Sequence, residues 1–301
     1  MAIHVVGNVC VDSSFHLVRL PQPGETLNAD AVDEGLGGKG ANQAVAAART
    51  GAAVTLWTAV GRDAFAQRMH DMLSAEIDDL RLSRLDLPSD RSVVLVDRRG
   101  ENVIVTAAGC ATAFDPLREG MLIKAFKKGD MLLMQGNLQA SVTASCLRQA
   151  RAAGLFTVLN PSPLSAAKME LDSVSLLIAN RPEAERLTGE TDPQAAAGRL
   201  RALGIDQVVI TLGGDGALVL DGRATLHIPA RHVDVVDTSG AGDCFAGTLA
   251  GLLHRGLPLA RAADAASAAA ALSVSRTGTL AAFPSRAELA ALLPSPKPDI
   301  A

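Results

Sequence analysis

The chain contains no tyrosine, a single tryptophan and seven phenylalanines in 301 residues. So little aromatic surface leaves few platforms on which the bases of a single-stranded nucleic acid could stack. Basic residues are not in excess: 28 Lys and Arg stand against 32 Asp and Glu, so the totals carry no basic footprint for a polynucleotide. Nucleic acid is therefore not an expected partner. The four cysteines, Cys10, Cys110, Cys146 and Cys244, are scattered and form no C-x-x-C pair. They read as buried small hydrophobes of a reducing compartment, Cys244 included, because its neighbours are apolar. The six histidines show no H-E-x-x-H or similar spacing, which argues against a histidine-built metal centre. No unbroken apolar run reaches membrane-spanning length; the alanine-rich 262–274 stretch is interrupted by Asp264, Ser267 and Ser273. The chain opens directly on the strand-like Ile3-His4-Val5-Val6, with no charged segment followed by an apolar one. These absences predict a cytoplasmic protein with no membrane partner.

What is present is a soluble composition, 48% hydrophobic and 20% charged, on a chain long enough to bury a substantial core. Ile3 to Val11 reads as one buried strand with Asp12 just past its end, where open α/β sheets place ligands. Val54–Val60, Met131–Gln135, Phe156–Asn160, Ser175–Asn180 and Gln207–Leu212 read as further apolar strands. Helical segments are predicted at Ala64–Ala75, Ser141–Ala153, Pro182–Thr188, Pro193–Leu203, Pro258–Val274 and Ser285–Leu292. The alternation implies βαβ units and a mainly parallel sheet with helices on both faces. Arg91–Asp97 and Glu101–Ala107, joined by Arg98-Arg99-Gly100, read as a hairpin. The segment 294–301 carries three prolines and is expected to be a flexible tail, leaving 1–293 as one domain.

Two glycine-bearing turns open alanine-rich helices. The first is Gly35-Leu36-Gly37-Gly38-Lys39-Gly40-Ala41-Asn42, leading into a helix from Ala41 to Thr50. The second follows an apolar run with strand character, His232 to Val236, and reads Asp237-Thr238-Ser239-Gly240-Ala241-Gly242-Asp243, with its helix running to about His254. Gly240 and Gly242 let a ligand approach the backbone, and the N–H groups at a helix start lack intrahelical partners and favour an anion. Asp243 in the first turn either complements the helix dipole or stands ready to take a proton from an attacking hydroxyl. No G-x-x-x-x-G-K-[ST] occurs, so a P-loop is excluded, and Gly7-Asn8-Val9-Cys10 is not a dinucleotide fingerprint, which argues against a dehydrogenase.

These two turns, with Asn180-Arg181-Pro182-Glu183 and Thr211-Leu212-Gly213-Gly214-Asp215-Gly216 between them, resemble the motifs of the ribokinase-like (PfkB-type) carbohydrate kinases in the family's order, from about Ile3 to Leu293. The resemblance implies a three-layer αβα sandwich with a mainly parallel central sheet. It also implies a small β-sheet lid, from about 12–36 and 91–108, that covers the sugar and often forms a homodimer contact. The activity implied is transfer of the γ-phosphate of ATP to a primary hydroxyl of a pentose or related sugar, with D-ribose to ribose 5-phosphate as first candidate. Another sugar, a deoxysugar or a nucleoside on the same fold, or a non-catalytic sensor, are the alternatives.

Carried over motif by motif, the resemblance makes Asp243 the base and the amides of Gly240, Ala241 and Gly242 the stabilisers of the transferring phosphoryl group. Asp12, Gly38, Lys39 and Asn42 would hold the sugar, although Lys39 also reads as a solvated helix-start lysine. Asn180 and Glu183 would hold the water shell of Mg²⁺; Glu183 also reads as an ordinary first-turn helix acid. Thr211, Gly213, Gly216 and Gly242 would cover the nucleotide. Asp237, Ser239, Ser273, Arg276 and Gly278 would bind K⁺, mostly through the main chain, although Ala281-Ala282 replaces a Pro-Ser pair. Asn137 aligns with a glutamate that hydrogen-bonds the sugar in ribose-phosphorylating members. An amide both donates and accepts where a carboxylate only accepts, so Asn137 weakens the case for ribose in particular.

Overall fold

A computed structural model describes residues 1–99, 102–164, 169–222 and 224–292. Nine strands form the central sheet: β1 (Ile3–Val6), β4 (Val54–Val60), β5 (Asp79–Arg84), β8 (Met131–Gln135), β9 (Phe156–Asn160), β10 (Leu176–Asn180), β11 (Gln207–Thr211), β12 (Ala217–Asp221) and β13 (Ala224–Ile228). Their order is β13-β12-β11-β10-β9-β8-β1-β4-β5; only β12 and β13 run antiparallel to their neighbours. A second sheet, β3-β2-β6-β7, comprises β2 (Cys10–Leu17), β3 (Ala31–Gly37), β6 (Arg91–Asp97) and β7 (Asn102–Ala107). The two strands of the expected hairpin pair antiparallel as β6 and β7; Gly100 and Glu101 between them, and the expected 294–301 tail, lie outside the described residues.

Strand side chains alternate between two cores, as a sheet covered on both faces requires. Ile3, Val5, Met131 and Leu133 pack with α1 (Lys39–Arg49), α2 (Ala64–Ser74), α8 (Ala241–His254) and α9 (Leu259–Val274). Val6, Leu132 and Met134 pack with the opposite layer: α3 (Gly109–Ala113), α4 (Met121–Ala125), α5 (Ala140–Ala152), α6 (Arg181–Thr188) and α7 (Pro193–Ala202). The short α10 (Arg286–Leu292) closes a third cluster through Leu289 and Phe283. This is the expected three-layer α/β sandwich with a separate small sheet.

Two expectations fail, each for a visible reason. The Ile3–Val11 run is not one strand. It leaves the central sheet after Val6, because 7–9 crosses the start of α1: Asn8 accepts from Gly40 and Ala41, through its side chain (3.3 Å) and its carbonyl (3.0 Å). Asp12 therefore lies within β2 of the small sheet, not at the end of a central strand. The His232–Val236 run is irregular, with Val235 65% and Val236 59% exposed. The amides of Val236 and Asp237 both donate to the Val274 carbonyl at the end of α9, so no strand ladder forms.

Asp90 ties the small sheet to the start of α3. Asp90, 1% exposed, accepts the Val11 amide at its carbonyl, while its carboxylate accepts the Cys110 (2.7 Å) and Ala111 (3.0 Å) amides at the start of α3.

Candidate active site

The parallel strands β1, β8, β9, β10 and β11 end on the same edge of the sheet, where the helix starts of α1 and α8 meet. The meeting is close because α8 presents glycine: a Cβ on Gly247 would fall 2.3 Å from the Gln43 carbonyl oxygen and 2.7 Å from the Ala46 Cβ. This backbone approach brings α1 side chains onto Asp243, which is 4% exposed. Asn42 Nδ2 donates to Asp243 Oδ2 (3.0 Å), Gln43 Nε2 donates to Oδ1 (2.9 Å), and Lys39 Nζ stands 3.7 Å from Oδ1. Burying a carboxylate is costly unless donors surround it, and here three converge.

Asp243 occupies the third position of α8, and its helix start is shaped for an anion. Gly240 caps α8 at φ 73°, where a Cβ would meet Thr279 Cγ2 at 2.5 Å, so glycine is required there. Among the described residues the N–H groups of Gly240, Gly242 and Asp243 have no hydrogen-bond partner, whereas that of Ala241 reaches the Thr238 carbonyl at 3.3 Å. The sequence marks the amides of Gly240, Ala241 and Gly242 alike; the turn commits that of Ala241 elsewhere.

Beside this helix start lies a cleft of about 730 Å³, lined by Asn180, Thr211, Gly213, Gly216, Thr238 and Gly242 among others. The residues assigned to the nucleotide thus share one cavity. Val233 and Val235 line its wall, which accounts for an apolar run left outside the core. Glu183 does not line it. Its Oε2 accepts the Asn180 amide (2.9 Å) while Asn180 Oδ1 accepts the Glu183 amide (2.8 Å), a capping box that commits one carboxylate oxygen to its own helix.

Asp12 lies in β2, against the strand that leads into α1. Its carboxylate lies over Gly37, where a Cβ would fall 2.0 Å from Oδ2, and Gly38 follows at φ 94°. The Cys10 thiol donates to Asp12 Oδ1 at 3.1 Å. Burial and the Asp12 carboxylate push that thiol well above its ordinary range, so it stays protonated. Asn42 Oδ1 and Asn137 Oδ1 are buried acceptors without a donor, as is Gln135 Oε1. Buried acceptors left open suit a ligand rich in hydroxyl donors.

The loop set of Asp237, Ser239, Ser273, Arg276 and Gly278 is also brought together: Asp237 Oδ1 accepts the Ser239 amide (2.9 Å) and Oδ2 the Gly278 amide (2.9 Å). Among the described residues no three His, Cys, Asp or Glu side chains cluster as metal ligands, and all four cysteines are free and buried.

Sequence reasoning gives no role to Gln43, Gln135 or Asn160, which join beneath Asp243. A signal for them exists: polar residues closing two otherwise apolar buried strands, and a second amide directly after Asn42.

Comparison with known proteins agrees with this geometry. The chain is 32% identical over 304 residues to ribokinase of Mus musculus, covering 96% of this chain and 93% of that protein. It is 32% identical over 297 residues to deoxyribokinase of Salmonella typhi, covering 95% and 96%. The structure of Arabidopsis thaliana ribokinase complexed with ribose and ATP superposes with a TM-score of 0.87 at 26% identity, over 97% and 98% of the two chains. The family model for pfkB family carbohydrate kinases matches residues 3–286. A match of that extent shows the family: the chain belongs to the pfkB carbohydrate kinases and is an ATP-dependent carbohydrate kinase.

Proposed function

We propose that the protein transfers the γ-phosphate of ATP to a primary hydroxyl of a pentose, D-ribose or its 2-deoxy counterpart, giving the 5-phosphate. The observation that carries this reading is the buried Asp243, held by the amide donors of Asn42 and Gln43 at a helix start whose Gly242 lines the cleft. The two curated relatives described above act on ribose and deoxyribose by name, which supports both sugars as candidates.

In this mechanism Asp12 and the open acceptors of Asn42 and Asn137 receive sugar hydroxyls and orient the primary one toward Asp243. Asp243 accepts that hydroxyl's proton as its oxygen attacks the γ-phosphorus in line; the bond to the β-phosphate oxygen breaks and ADP leaves. The free amides of Gly240, Gly242 and Asp243 face the charge on the transferring group, and Lys39 adds a positive charge nearby. Thr211, Gly213 and Gly216 border the nucleotide, and Val233 and Val235 give its base an apolar wall. Mg²⁺, when bound to the phosphates, neutralises their charge; Asn180 and the uncommitted oxygen of Glu183 fit its water shell rather than the ion itself. K⁺ fits the paired turns that Asp237 ties together, through their carbonyls, with the Asp237 carboxylate already serving both amides.

The small sheet supports a homodimer. Strand register places Val32, Val93, Val103 and Val105 on the face opposite Asp12, each at least 40% exposed. Light scattering of the wild type and of Val105→Glu tests it: a dimer that the substitution dissociates is expected.

The activity is tested by ADP release from MgATP and KCl against a panel of ribose, deoxyribose, other pentoses, ketohexoses, tetroses and nucleosides. A sugar-dependent rate that Asp243→Asn lowers by about 10³-fold is expected, since a positioned base contributes on the order of 10²–10⁴. Sugar binding without ADP formation in the wild type overturns the reading in favour of a sensor.

A further inference from the structure

We infer that Gln43 is a positioning residue for Asp243, the central member of a buried amide chain that fixes the base against the central sheet. The inference rests on the kinase reading above.

Gln43 is wholly buried, at 0% exposure, and every strong hydrogen bond of its side chain goes to a side chain on another element. Nε2 donates to Asp243 Oδ1 on α8 (2.9 Å) and to Asn160 Oδ1 at the end of β9 (2.9 Å); Oε1 accepts from Gln135 Nε2 at the end of β8 (3.0 Å). A helix-interior glutamine needs none of this for helix formation, and burying it is unfavourable without such partners.

The direction of the chain is fixed from outside the site. Asn160 Nδ2 donates to the Ile178 carbonyl in β10 at 2.8 Å, which turns Asn160 Oδ1 toward Gln43. Only the NH₂ of Gln43 can then meet both Asn160 Oδ1 and the Asp243 carboxylate. Reversing the amide would set its oxygen against two acceptors and its NH₂ against the Gln135 donor. The orientation is therefore dictated by the backbone of β10, two residues before Asn180 on the nucleotide cleft.

The consequence falls on Asp243. Gln43 holds one carboxylate oxygen and Asn42 the other, from consecutive positions of α1, so the carboxylate plane cannot turn. Gln43 itself stays behind the base: it is sealed from solvent and does not line the cleft. Its part is to hold the acceptor oxygens where the hydroxyl proton must arrive, which decides rate without deciding affinity.

Gln43→Leu and Gln43→Glu test this, with the sugar that drives wild-type turnover. Gln43→Leu is expected to lower kcat about 30-fold or more while KM for sugar and for ATP stays within about threefold, since misplacement of a catalytic group costs on the order of 10²-fold. Gln43→Glu keeps the acceptor for Gln135 but sets a second carboxylate against Asp243. The pair then shares a proton, and the acid limb of the kcat–pH profile moves to higher pH by about a unit or more. A crystal structure of Gln43→Leu is expected to show the Asp243 side chain turned or split. An unmoved Asp243 with kcat within about threefold of wild type overturns the proposal, as does an unshifted pH profile in Gln43→Glu. If Gln43→Leu does not fold, the Gln43→Glu profile decides. If the wild type itself releases no ADP with any sugar, the kinase reading fails, and the position of Asp243 in the Gln43→Leu crystal still decides whether Gln43 holds it.

Discussion

Gly247 of α8 lies against the backbone of Gln43 in α1, so near that a β-carbon there would come within 2.3 Å of the Gln43 carbonyl oxygen. One turn on, Gly251 repeats the contact, with the Ala47 carbonyl 2.9 Å and Thr50 Oγ1 2.4 Å from such a carbon. Gly247→Ala must push the helices apart. Overpacking is expected to outweigh the gain in helix propensity and to cost about 1–2 kcal/mol of stability. Urea unfolding measures it. Unchanged stability would mean that the helices separate freely.

Asn137 offers a buried Oδ1 that nothing in the described structure satisfies. Asn137→Leu removes the acceptor and is expected to raise the sugar KM about tenfold, the worth of one hydrogen bond of ~1 kcal/mol or slightly more, with kcat little changed. Initial-rate kinetics over a range of sugar concentrations checks this. An unaltered KM would take Asn137 out of the sugar site.

His4 of β1 is buried between Trp57 of the neighbouring β4 and Asp130, just before the neighbouring β8. Trp57 Nε1 donates to its Nδ1 at 3.2 Å, so Nδ1 is unprotonated and the proton sits on Nε2, facing Asp130 at 3.3 Å. Burial lowers its basicity below the ordinary imidazole value despite the Asp130 carboxylate. The sign follows: the fold favours neutral His4, so this stabilisation is complete above the ordinary value near 6.5 and is lost as pH falls below it. The carboxylate of Asp130 is held below its ordinary range by the amides of Ala2 and Lys127 and by His4, so it titrates in a more acidic window. The urea midpoint is expected to fall between pH 7 and pH 5, and His4→Gln to flatten that fall. A midpoint independent of pH in the wild type would refute the neutral assignment.

Burial pushes the Cys146 and Cys244 thiols up to about 12 and Cys110 up to about 11. Thiolate is the reactive form, so native protein at neutral pH is expected to take up no iodoacetamide, and unfolded protein four equivalents, one for each cysteine. Intact mass spectrometry counts them. Alkylation of Cys244 in the folded state, with loss of activity, would show that α8 opens.

Much of the fold is legible in the sequence because its strands are buried on both faces. Val54–Val60, Met131–Gln135 and Phe156–Asn160 are largely apolar runs, and the structure reproduces their limits. Strands that lack such burial escape notice. β5 reads Asp-Leu-Arg-Leu-Ser-Arg and forms the sheet's edge, while β12 and β13 follow a turn already assigned to nucleotide. Hydrophobicity misleads where it serves a cleft, as at Val233–Val236, and where a loop beside Asn8 interrupts an apolar run. At the site, Gly240 is legible because its positive φ and close packing require glycine, and Asp243 because it stands in the first turn of the helix that follows. Glu183 is ambiguous in sequence and appears as a cap in the structure. The network of Gln43 is not legible in sequence, because its partners, Gln135 and Asn160, lie 92 and 117 residues away and meet it only when the sheet closes.

The carboxylates beside the cleft have different origins. Asp243, with Asn42 and Gln43, is carried by two helices locked together at their glycines, while Asp12 arrives on a separate small sheet joined to the body beside Asp90. The protein is modular at the scale of a few side chains. On the kinase reading proposed above, substitutions in the small sheet are expected to change acceptor preference while leaving the glycine-locked α1–α8 pair in place.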